Sequence, residues 1–157
     1  MSSQLHRDAS LSVVRSDNLL VAAWHAAPTL ELMRIVERHV DTWRQRYGDD
    51  VVFVNLIVDG RIEAFSAEAR DAANRLTEKY PRSLCVANVV LVGGLSGVLI
   101  RTVMRAMRMV GRYQSPWKVF DDNRTAAAWI APQLDGHLEL RWTTASILAV
   151  LEEAKRR

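Results

Sequence analysis

The stretch from Val89 to Gly97 has the residue types most open to chemistry: Val89, Val90, Leu91 and Val92 run into Gly93, Gly94, Leu95, Ser96 and Gly97. A strand entering a glycine turn and then a helix aims backbone N–H groups at an anion. The specific motifs are nevertheless missed. No Lys-Ser/Thr pair closes a phosphate loop, and the dinucleotide spacing Gly-x-Gly-x-x-Gly is not met. A nucleophile elbow around Ser96 would need glycine where Val98 stands. The glycines are expected to serve a tight turn and close helix packing, with Gly94 and Ser96 kept as weak ligand-binding candidates.

Histidines stand at His6, His25, His39 and His137, and none makes the His-x-x-x-His spacing that stacks two metal ligands on adjacent helix turns. No metal and no cofactor is expected. His25 follows a strand near what reads as a parallel-sheet edge, which makes it the better candidate for a ligand contact. Asp59, Arg61 and Glu63 follow the central strand at the end where open α/β sheets bind ligands. The single cysteine, Cys85, lies in an apolar run and reads as a small buried thiol, so no internal disulfide is available.

Charge is uneven. The net charge is +3, yet between Gly93 and Lys118 stand Arg101, Arg105, Arg108, Arg112 and Lys118 without one Asp or Glu. The arginines recur at spacings of four, three and four, which stacks them on one helix face and leaves Leu99, Val103, Met107 and Val110 to turn toward a core. A stripe of this kind suits an acidic protein or anionic lipid, and Met104, Met107 and Met109 offer adaptable apolar lining. Nucleic acid is not expected as a partner, because few aromatic residues interleave with the arginines to stack on bases.

The elements that must position these groups follow from hydrophobic period. Two strands, Leu11 to Val14 and Leu19 to Trp24, form a hairpin around Asp17 and Asn18. Met33, Val36, Val40, Trp43 and Tyr47 mark one face of a helix that Thr29 caps and Gly48 ends. Val51 to Val58 reads as a strand buried on both faces. A second helix begins at Ser66, with Ala69, Ala73, Leu76 and Tyr80 inward, and Pro81 stops it. A strand over Leu84 to Val92, a helix over Val98 to Val110, a short strand over Trp117 to Phe120 and a helix to about Ala131 complete a ββαβαβαβα order. Right-handed crossovers make this a mostly parallel sheet flanked by helices, an α/β fold.

Residues 1–10 are polar and are expected to be flexible, residues 11–134 to form the domain, and residues 135–157 a C-terminal extension. Within that extension His137 to Trp142 alternates and reads as extended, and Thr144 to Lys155 as a helix covering either the domain's own sheet or a second subunit in a homodimer. The 157 residues, 49% hydrophobic and 25% charged, suit one packed domain. No apolar run reaches the roughly 18 residues of a membrane span, and the N-terminus lacks a signal sequence, so a cytoplasmic location is expected.

This order, together with Asn18 to Trp24, Val51 to Asp59 and Trp117 to Ile130, resembles the STAS fold, in particular its SpoIIAA-like branch. The resemblance covers about residues 11–134. It implies a non-enzymatic bacterial domain that binds a regulatory protein, or in some relatives a nucleotide or an apolar ligand. In anti-sigma-factor antagonists a serine opening the second helix is phosphorylated to switch partner binding, and Ser66 is its positional counterpart. Phe65, Ala67 and Glu68 depart from the residues usual around that serine. Ser66 is therefore open to two roles, helix cap and phosphoswitch. The leading expectation is a regulatory protein-interaction module that meets its partner through Ser66, Arg101, Arg105, Arg108 and Arg112. The alternative is binding of an apolar or anionic lipid-like ligand or membrane surface, with a small hydrolase using Ser96 as the weakest reading.

Overall fold

The computed structural model describes residues 2–59, 66–110 and 113–156. The α/β architecture is as expected. Six strands, β1 (Ser2–Arg7), β2 (Leu11–Ser16), β3 (Leu19–Trp24), β4 (Val52–Ile57), β5 (Cys85–Val90) and β6 (Trp117–Phe120), lie side by side in chain order. The first three pair antiparallel and β3 to β6 pair parallel.

Sequential parallel strands joined by crossovers of one hand place their connecting helices on one face. Those helices are α1 (Leu30–Tyr47), α2 (Ala67–Lys79) and α3 (Gly94–Val110). The other face is covered by α4 (Asn123–Leu134) and α5 (Thr144–Lys155). The strands therefore supply two cores. Val21, Val54, Ala87 and Phe120 pack toward α4 and α5, while Leu20, Phe53, Val86 and Trp117 face α1 to α3. Among the described residues no helix is long and apolar enough to cross a membrane.

Three expectations need correction. Residues 1–10, expected to be flexible, contain β1, which pairs with β2 from Ser2 opposite Ser16 to Arg7 opposite Ser12. Only Leu5 of this edge strand packs on the core, so its order comes from backbone pairing that leaves no hydrophobic period to read. The segment 137–142 holds no strand and opens on a turn, with Leu138 and Glu139 at φ 56° and 55° and Leu140 N–H donating to the His137 carbonyl. Its alternation reports burial only in part: Leu138 is exposed, whereas Leu140 and Trp142 are half-buried, and Trp142 packs on the core and donates Nε1–H to Asn18 Oδ1 at 3.0 Å. Finally, residues 144–155 do not stand outside the domain: of the two alternatives for α5, cover of the domain's own sheet is the one seen. Ile147, Val150, Leu151 and Ala154 are buried there, which makes the supposed extension part of the core.

Candidate functional site

The glycine turn leads into α3 as the sequence suggests, four residues earlier than expected. Gly94 sits at φ 63°, a conformation open to glycine, and Gly97 faces the turn that leads in from β5 so closely that a Cβ would lie 1.9 Å from the Val92 carbonyl oxygen. That contact sets the rotation of α3. Residues three, four and seven positions after Gly97, which are Ile100, Arg101 and Met104, must turn inward with it. Ile100 and Met104 pack on the core, and Arg101 Nη1 reaches the Val92 carbonyl at 3.4 Å.

Two members of the expected inward set, Leu99 and Val103, accordingly turn outward. Leu99 is 63% and Val103 49% exposed, and with Leu95 at 85%, Val98 and Met109 at 89% they form an outward apolar face. Met107 is half-buried, and the side chain of Val110 lies outside the described residues. The arginines flank this face. Arg105 is exposed, Arg108 lies over the Trp117 ring at 6.0 Å, and Arg112 is outside the described residues. Ser96 is exposed on the first turn of α3.

The other candidates are dispersed. Ser66 is the exposed N-cap of α2, its Oγ accepting from Ala69 N–H at 3.1 Å. His25 follows β3, one of the two outermost parallel strands, which β2 covers antiparallel, and it is buried, with its backbone N–H donating to the Ser10 carbonyl. Asp59 is half-buried, and Arg61 and Glu63 lie outside the described residues. No cluster of His, Cys, Asp and Glu suited to a metal occurs among the described residues. Burial pushes the Cys85 thiol up to about 12, which keeps it protonated and inert near neutral pH.

What the sequence reading missed lies between the sheet and α1 to α3. A cavity of about 140 Å³ is lined by Trp24, Trp43, Phe53, Tyr80, Tyr113 and Trp117, with Met33 and Met104 among its aliphatic neighbours. Two asparagines enter it from the middle of the sheet. Asn55 and Asn88 stand opposite each other in the register of β4 and β5. Trp24 Nε1–H donates to Asn55 Oδ1 at 3.4 Å, and Asn55 Nδ2 donates to Asn88 Oδ1 at 3.0 Å. The indole can only donate, so it fixes the direction of the whole chain.

Arg44 forms another wall. Its Nη1 donates to the Gly48 carbonyl, to Asp49 Oδ1 and, at 2.7 Å, to the Arg82 carbonyl. The guanidinium lies 5.1 Å from the Tyr80 ring centroid and 5.9 Å from that of Trp43. Burial lowers its pKa, with Asp49 and Tyr80 acting in the opposite sense. A signal for this site was present in the sequence as two amides interrupting apolar strands, Val54-Asn55-Leu56 and Ala87-Asn88-Val89. No protein-family model, no curated protein and no solved structure matches the chain.

Proposed function

We propose that the chain is a non-enzymatic, STAS-like regulatory domain that docks on an acidic partner protein through the outward face of α3. The observation that carries this reading is the joint exposure of Leu95, Leu99, Val103 and Met109 beside Arg105 and Arg108. Contiguous exposed apolar side chains mark interaction surfaces. Arginine and methionine are enriched in protein interfaces, whereas the apolar side of helices that lie on membranes often adds Trp or Phe. The described part of α3 has neither. The lack of any acidic residue from Gly93 to Lys118 gives the face a uniform sign, which steers an acidic partner and disfavours a basic one.

Affinity capture from the source lysate tests this directly. Wild-type protein should retain one stoichiometric acidic protein, lost in both Arg105→Glu/Arg108→Glu and Leu99→Ser/Val103→Ser, with capture weakening as salt rises. These positions are on the surface, so circular dichroism should be unchanged. Capture of nothing, or capture indifferent to both variants, would overturn the reading. Co-sedimentation with phosphatidylserine vesicles in place of a protein would instead identify an anionic membrane as the target.

A further inference from the structure

Asn88 is 2% exposed, and its Nδ2 has no hydrogen-bond partner. The reason is the fixed direction of the amide chain. Trp24 donates to Asn55 and Asn55 to Asn88, so the unmatched group at the end is a donor. A buried N–H without an acceptor is costly, and native interiors rarely leave one. A second unmatched donor lines the same cavity. Arg44 Nε is buried without a partner, although Nη1 of the same guanidinium is fully engaged. No buried side-chain acceptor lining the cavity is left unmatched among its described residues.

The unmet demand is therefore all of one kind, and one of its sources carries positive charge. Size and lining narrow it further. A cavity of about 150 Å³ lined by apolar side chains takes one benzene, and this one has about 140 Å³ with aromatic walls. Its lining residues Thr77, Pro81, Met107 and Tyr113 also line the larger groove between α2 and α3, which gives a ligand a route inward.

We propose that the cavity binds a small aromatic carboxylate, whose ring packs among Trp24, Phe53 and Trp117 and whose oxygens accept from Asn88 Nδ2 and face Arg44. This site is separate from the outward face of α3 and does not depend on its role. Phenylacetate, toluene and phenethylamine serve as probes, titrated into the whole chain and followed by ¹⁵N-resolved NMR. Phenylacetate should bind saturably, shift the Asn88 side-chain amide, and bind at least tenfold tighter than toluene, with no binding of phenethylamine. Asn88→Asp keeps an acceptor for Asn55 but replaces the donor by an oxygen. It should lower phenylacetate affinity at least tenfold. Asn88→Leu should do the same while toluene still binds, which reports an intact cavity. Phenylacetate binding no tighter than toluene, or binding that leaves the Asn88 amide unmoved, would overturn the proposal. So would a crystal grown with phenylacetate in which only water accepts from Asn88.

Discussion

Gly97 shows how one missing side chain orients an entire helix. Alanine is the better helix former by up to about 1 kcal/mol. At this position its Cβ would meet the Val92 carbonyl oxygen at 1.9 Å, a backbone atom that cannot step aside. Overpacking of this kind costs about 1–3 kcal/mol, so the clash should outweigh the propensity gain. Gly97→Ala is therefore expected to lower stability in urea unfolding, whereas Ser96→Ala, at an exposed neighbour, should leave the midpoint within error. A stabilised Gly97→Ala would mean that the first turn of α3 stands further from the Val92 carbonyl.

At the scale of elements, α1 and α2 are joined by a polar clasp. Tyr80 Oη donates to Asp41 Oδ1 at 2.5 Å and Lys79 Nζ to Asp41 Oδ2 at 2.9 Å. Burial alone would raise the pKa of Asp41, but the bonds from Lys79 and Tyr80 outweigh it and lower the value. A carboxylate with a depressed folded pKa stabilises the protein above its unfolded pKa of about 4, and that contribution is lost as pH falls through the folded value. Asp41→Asn should therefore be less stable than wild type at pH 7, with the gap closing below about pH 4. A gap that persisted at pH 2 would assign the loss to packing instead of charge.

Elements were legible to the degree that burial left a period. The strip Met33, Val36, Val40 and Trp43 on α1 and the nearly all-apolar run of β4, broken only at Asn55, could be read because each buries what its pattern shows. The rotation of α3 could not, because apolar residues occur on both its inner and outer faces and a steric contact decides which turns in. The Asn55–Asn88 pair was visible as two separate polar interruptions. Only strand register brings them side by side.

For the whole molecule, the two helical layers differ. The layer of α4 and α5 seals its face of the sheet, and burial of Ile147, Val150 and Leu151 contributes roughly 1.5–3 kcal/mol apiece. Together these approach the 5–15 kcal/mol that holds an average domain folded. Deleting residues 144–157 should thus abolish cooperative unfolding and near-ultraviolet dichroism. A truncated chain that melted with the wild-type midpoint would restore these residues to the status of an appendage.

Strand order adds a consequence for synthesis on the ribosome. Each strand leaves the exit tunnel to find its neighbour already made, so the sheet can grow one strand at a time from β1. The two helices that shelter Val21, Val54 and Ala87 are made after every strand. Until α5 emerges the nascent chain carries a nearly finished sheet with one greasy side bare, which is the interval when a chaperone would have most to hold.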